Sequence, residues 1–371
     1  MSAVRRRLLA AAVTVPVLTG ALGACGYGSQ AKKDTLSAGA AAPKGPKVDG
    51  LDQVRIGFFG NTTHATPLIG LRKGLFQKEL GGTAVKGSVF NAGPAEIEAL
   101  NSGALDIGWI GPSPAINGYT TSHGKSLKII SGSASGGVSL VVNPRKIKGL
   151  DDLKGKTIAT PQLGNTQDVA LLNFLAEKGY TVDATTGKGD VTVQRTDNKV
   201  TPTVFEQGSI DGAWVPEPTA AKLVAAGGRT LLDERKLWKD GKFVITNVIV
   251  SQRFLEEHPK AVEAVLRASV RTNAWIRSHP DEAKRALNDQ LADAQVTGKP
   301  LPDNVLGPAF RNIDITDDPL AATLQAEADH AVQAGLLKTS GLKGIYDLRP
   351  LNKVLKAEGR PPVDDAGLGS K

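Results

Sequence analysis

Gly103-Ala104-Leu105-Asp106-Ile107-Gly108-Trp109 returns in the same chain as Gly208-Ser209-Ile210-Asp211-Gly212-Ala213-Trp214, with glycine, aspartate and tryptophan in register. A shorter pattern repeats at almost the same offset, Gly60-Asn61-Thr62 as Gly164-Asn165-Thr166. Tryptophan occurs only four times in 371 residues, so two of them in register behind matching Gly and Asp mark a duplication. The chain therefore reads as two similar α/β lobes. In each copy an apolar, strand-like run (residues 54–59 and 157–160) precedes the Gly-Asn-Thr turn, and a helix-like stretch follows it. The Asn-Thr pairs sit where a strand ends and a helix begins, the place where open α/β sheets bind ligands and where free N–H groups favour anions. Two such turns facing each other make a cleft between lobes.

Outside the repeats, the N-terminus carries Arg5, Arg6 and Arg7, an apolar run over residues 8–22, and Leu22-Gly23-Ala24-Cys25. Basic, apolar and small residues in that order predict an export signal over residues 1–25, and the apolar run is too short to cross a bilayer. Leu-Gly-Ala-Cys looks like the lipobox of bacterial lipoproteins, so Cys25 is the expected lipidation site and membrane anchor. An ordinary cleaved signal that happens to end in Cys is the alternative. Cys25 is the only cysteine, which excludes a disulfide or a thiolate metal site. Residues 26–50, rich in Ala, Gly, Lys and Pro, are expected to be a flexible tether. The formal charge is +8, or +5 without the three leader arginines, and its mixed distribution gives no nucleic-acid footprint.

From residue 51 strand and helix patterns alternate, the signature of parallel α/β sheets. Lobe one is expected over residues 51–142 and 246–371, and lobe two over 143–245. The apolar runs at 138–142 and 243–250 are the two crossings of a hinge. Helical spacing over 259–279, 280–294 and 318–335 predicts helices packed on lobe one, with Trp275 in their core.

Ile56-Gly57-Phe58, Asn91-Ala92-Gly93-Pro94, the run from Leu105 to Gly111, Asp152-Leu153-Lys154-Gly155-Lys156 and Trp214-Val215-Pro216-Glu217-Pro218 resemble the substrate-binding proteins of bacterial ABC importers. The branch is that for aliphatic sulfonates, taurine and nitrate, and the similarity spans residues 54–267. The resemblance implies a periplasmic-binding-protein-like fold of type II, closing two α/β lobes over one small anionic solute. It also implies ABC permease subunits as partners, a lipid-anchored place on the extracytoplasmic face of the cell membrane, a monomer, and neither catalysis nor a cofactor. The Gly-x₄-Gly-Lys-Ser/Thr motif of the partner ATPase is absent from the chain.

A sulfonate is a weakly basic anion that neutral N–H and O–H donors and a helix N-terminus can hold. Such donors follow the first strand of lobe one at Asn61, Thr62, Thr63 and His64. Ser113 follows Trp109, and Ser133, Ser135 and Gly136 come after the next strand. Asn165, Thr166 and Gln167 open lobe two, and Trp109 and Trp214 offer apolar walls for a tail. Each has a plainer role available: Thr62, Thr166 and Ser113 as helix caps, the two Trp as core, His64 as a solvated loop residue. Glu217 and Asp197 are either partners for an amine on the solute or acids placed at helix starts. No Arg or Lys falls on the cleft loops of lobe one, which argues against a multiply charged solute. Nitrate, bicarbonate, a thiamine precursor and an aromatic carboxylate are the other solutes, and a 5% aromatic content favours a small one. An adhesin or signalling receptor with a vestigial cleft is a further class. Enzymes share the fold, but the thiamine-pyrimidine synthase uses a cysteine-rich motif that this chain lacks.

Overall fold

The computed structural model describes residues 36–37 and 43–370. Its strands are β1 (Leu36–Ser37), β2 (Gln53–Phe59), β3 (Ala84–Phe90), β4 (Ile107–Ile110), β5 (Leu127–Gly136), β6 (Val138–Val142), β7 (Thr157–Thr160), β8 (Thr192–Arg195), β9 (Gly212–Pro216), β10 (Arg229–Asp233), β11 (Val244–Ser251) and β12 (Ile313–Ile315). One sheet has the order β1-β3-β2-β4-β11-β5-β12, the other β10-β6-β9-β7-β8. In both, the lobe's first strand (β2 or β7) lies in parallel register between its second and third. Beside the third runs an antiparallel crossing strand, β11 in the larger sheet and β6 in the smaller. The same arrangement is built twice, and the chain has the type II periplasmic-binding-protein fold.

The sequence repeat maintains this arrangement. Gly103 and Gly208 follow the helices Gly93–Asn101 and Thr201–Glu206 with φ of 74° and 73°, the left-handed turn that ends a helix. Asp106 Oδ2 accepts the N–H of Arg55 at 2.7 Å and Asp211 Oδ2 that of Thr157 at 2.9 Å, so each aspartate ties the third strand to the first. Trp109 lies edge-on to Phe76 and Trp214 against Phe174, both fully buried. Val54, Ile56 and Phe58 of β2 are fully buried as well. Burial of such a side chain contributes about 1.5–3 kcal/mol.

Residues 138–142, expected to close lobe one, instead pair with β9 and β10 in the smaller sheet. The first crossing therefore falls at Gly136 and Gly137, whose φ values of 71° and 70° turn the chain out of β5. A Cβ on Gly136 would approach the Arg235 guanidinium within 2.2 Å. Gly136→Ala is expected to lower the unfolding free energy by about 1–2 kcal/mol from the backbone alone. Denaturant titration beside wild type measures this, and an unchanged midpoint contradicts it.

The expected tether also ends earlier than residue 50. Lys44 N–H bonds Gly81 O at 3.1 Å and Val48 N–H bonds Thr83 Oγ1 at 2.9 Å. Asp49 Oδ2 accepts the N–H groups of Lys260 and Ala261 at 2.9 and 3.0 Å, satisfying free donors at the start of the helix Pro259–Ser278. Leu36–Ser37 pairs antiparallel with β3. The export signal and Cys25 lie outside the described residues.

The helix Pro259–Ser278 packs on lobe one as expected, against Ala65–Arg72 and Leu75–Leu80. Trp275 is half-buried at its edge, with Lys73 Nζ 3.9 Å from its ring centre. The helix Ala321–Gln333 departs from expectation because it also lies against the helix Thr166–Glu177, and Ala334 and Leu336 join the core of lobe two. The C-terminal region thus straddles both lobes. No described helix is long and apolar enough to cross a membrane.

Candidate ligand-binding cleft

Both Asn-Thr turns open on one cavity. Lobe one supplies Phe59, Asn61, Thr63 and His64 at the end of β2, Asn91 after β3, and Gly111 and Pro114 after β4. Lobe two supplies Asn165, Thr166 and Gln167 after β7, Asn198 after β8 and Pro216 at the end of β9, while Ile245 belongs to β11. The parallel strands end here, beside the point where strand order reverses, which is where such sheets leave a crevice. The enclosed space is about 30 Å³, so the lobes stand nearly closed. They touch across it: Ser113 N–H donates to Thr166 Oγ1 at 3.4 Å, and Lys199 Nζ donates to Asn91 Oδ1.

A buried carboxylate shapes the turn of lobe two. Asp168 accepts Thr160 Oγ1 at 2.7 Å, Gly164 N–H at 3.0 Å and Arg195 Nε at 2.9 Å, and is fully buried. The helix Thr166–Glu177 begins directly after Asn165 and has no side-chain cap. Its opening N–H groups, at Thr166 and Gln167, have no acceptor within the helix, and its dipole adds partial positive charge at that end.

In lobe one, Thr63 Oγ1 donates to Asn61 Oδ1 at 2.9 Å. His64 Nε2 donates to Trp109 O at 3.0 Å, and Nδ1 lies 2.7 Å from the Asn61 amide. Burial lowers the His64 pKa to about 3 against the opposing effect of the Trp109 bond, so the ring is neutral at ordinary pH. Among the described residues no Asp, Glu, Lys or Arg lines the cavity. Thr62 Oγ1, Ser113 Oγ, Asn165 Oδ1 and Asn198 Oδ1 are buried in and beside it without a partner among the described residues. Buried polar groups are nearly always satisfied, so this cluster of spare hydrogen-bonding capacity singles out the cleft. Because His64 takes no proton until the pH nears 3, solute affinity by calorimetry is expected to stay level from about pH 8 to about pH 5. A transition centred near the ordinary histidine value contradicts this.

The model of the NMT1-like family matches residues 49–291, which take in both sets of Asn-Thr turns. The chain belongs to the NMT1-like family. This NMT1-like chain is 27% identical over 315 residues to the putative aliphatic sulfonates-binding protein of Bacillus subtilis (strain 168), covering 82% of this chain and 89% of that one. It is 26% identical over 268 residues to the taurine-binding periplasmic protein of Escherichia coli (strain K12), covering 72% and 80%. Its fold matches the alkanesulfonate-binding protein SsuA from Xanthomonas axonopodis pv. citri bound to MOPS with a TM-score of 0.64 at 23% identity, over 81% and 96% of the two chains. By family and relatives the NMT1-like chain is a solute-binding protein, not an enzyme.

Of the residues singled out from sequence, Asn61, Thr63, His64, Asn165, Thr166 and Gln167 share the cavity. Thr62 is buried beside it, and Ser113 meets Thr166 through its N–H. Gly111, not Ser113, occupies the cap position of the helix Pro112–Thr121. Others are drawn elsewhere. Trp109 and Trp214 do not wall the cleft: both are core residues, and Trp214 Nε1 donates to Glu234 Oε2 at 2.7 Å. Ser133 Oγ donates to Thr66 Oγ1 at 3.1 Å, while Ser135 and Gly136 lie where β5 pairs with β12, and none of the three lines the cavity. Glu217 is not free for a solute amine, because Oε1 accepts from Asn312 Nδ2 at 2.6 Å and Oε2 from Ala221 N–H at 2.9 Å. Asp197 is exposed and accepts Lys199 N–H at 2.7 Å.

The reading from sequence missed Phe59, Asn91, Gly111, Pro114, Asn198, Pro216 and Ile245. Asn91, Gly111, Pro114, Asn198 and Pro216 sit at or just beyond the ends of second and third strands, so extending the strand-end rule to those strands finds them. Phe59 supplies the aromatic wall that the tryptophans do not, its ring centre 4.6 Å from that of His64.

Proposed function

We propose that the chain is the extracytoplasmic solute-binding component of an ABC importer and holds a small organic anion, an aliphatic sulfonate, between its two Asn-Thr turns. The carrying observation is the cavity's chemistry: hydroxyls, amides and an uncapped helix N-terminus, with no formal charge among the described residues that line it. A sulfonate stays ionised and is weakly basic, so neutral donors hold it without a countercharge that would have to be desolvated. Phe59, Pro114, Pro216 and Ile245 suit a short apolar tail. The sulfonate- and taurine-binding relatives support the same reading. With both oxygens of Glu217 occupied, an alkanesulfonate is favoured over an amine-bearing sulfonate.

Thermal-shift screening with alkanesulfonates, taurine, nitrate and bicarbonate tests the proposal. A solute at about a hundredfold excess over Kd stabilises by about 2.7 kcal/mol. An alkanesulfonate is expected to give the largest shift, and stabilisation by nitrate or bicarbonate alone rejects the sulfonate reading. In this reading Cys25 is the lipidated anchor, the lobes close as a monomer and deliver solute to membrane permease subunits. Fractionation of Cys25→Ala should show loss of mature, membrane-held protein, and unchanged anchoring of a mature form would refute that role.

A further inference from the structure

A second pocket of about 410 Å³ opens beside the cleft and shares Asn61 and Asn198 with it. Leu291, Leu301 and Pro302 give it an apolar side. Lys199, Lys222 and Lys299 give it positive charge, and among the described residues no carboxylate lines it. Lys199 and Lys222 come from lobe two, whereas Lys299 follows the helix Pro280–Ala292. The sequence reading, confined to the loops of lobe one, found no cation at the cleft. The charge arrives from these three other segments. Asp197 lies near the neighbouring rim but is exposed.

Lys222 carries the argument. It projects from the helix Thr219–Ala225, is half-buried, and has its pKa lowered by burial with no carboxylate opposing the shift. Its ammonium has neither a hydrogen bond nor an ion pair among the described residues. Taking an ammonium out of water without an acceptor costs stability. A ligand anion in the pocket would supply that acceptor.

We propose that this pocket receives a second acidic group, carried on an apolar stem by the solute whose first head lies between the Asn-Thr turns. The solute class is then an aliphatic sulfonate bearing a second terminal acid. This rests on the cleft reading above. Its test is calorimetric titration of wild type and Lys222→Met with butanesulfonate and with the matching terminal disulfonate. Wild type is expected to bind the disulfonate roughly tenfold or more tightly than the monosulfonate. Lys222→Met is expected to abolish that preference, keep the monosulfonate affinity, and melt at or above the wild-type temperature because a desolvated charge is gone. Equal affinities in wild type, or a preference that survives Lys222→Met, overturn the inference and leave the cleft reading standing. If neither sulfonate binds wild type, the cleft reading fails and the inference with it.

Discussion

Thr166→Ala is expected to weaken solute binding about ten- to a hundredfold, the equivalent of one charge-assisted hydrogen bond worth roughly 1.5–3 kcal/mol. Thr166 Oγ1 faces Gly111 and the N–H of Ser113 across the gap between lobes, so it stands where a solute and the closed lobes meet. Asn165 occupies the cap position of this helix, and Thr166 is its first residue. On the proposed reading the substitution removes a ligand contact rather than a cap, and the unfolding curve without solute should stay close to wild type. Calorimetric titration and the unfolding curve separate the two roles. Affinity retained with stability lost would place the anion elsewhere.

The second large effect is on stability and lies behind the cleft. Glu234 is buried, and its pKa is raised to about 7, chiefly by desolvation, with the bond from Trp214 Nε1 opposing and the charge of Asp233 adding to it. The neighbouring Glu327 is also buried, has no partner for either oxygen among the described residues, and is pushed well above the ordinary carboxylate range. A raised folded-state value means that the folded chain keeps a proton which the unfolded chain releases above about pH 4.5. Stability from this site is therefore fully present below that value and is lost as pH rises to about 7, by about 3 kcal/mol in all. Glu234→Gln keeps an acceptor for Trp214 and cannot ionise. It is expected to match wild type at about pH 4 and to melt several degrees higher at about pH 8. Equal melting temperatures at the higher pH contradict a buried, proton-retaining Glu234.

The duplication was legible because both copies preserve the same constraints: a left-handed glycine ending a helix, an aspartate tying third strand to first, and a tryptophan in the core. Its meaning was not. β4 and β9 are buried along their whole length, so alternation along either strand gave no sign of which way Trp109 or Trp214 points. The Asn-Thr turns were legible as cleft-facing positions because strand ends in such sheets have that geometry whatever the sequence around them. Glu217 stayed open between an amine partner and a helix-start acid because its partner Asn312 lies 95 residues away, and residues 44–50 read as tether because Asp49 meets a helix start 211 residues on. The lysine pocket escaped notice for the same reason, its charges coming from three separate segments. Local pattern reports local constraint; partners brought together by the tertiary fold leave no mark at fixed spacing.

Diffraction from crystals grown with the alkanesulfonate that stabilises the chain most tests the binding mode directly. The sulfonate oxygens are expected within hydrogen-bonding distance of Asn61 or Thr63 on one lobe and of the Thr166 and Gln167 N–H groups on the other. A sulfonate bound outside the cleft, or held by one lobe alone, would contradict the account.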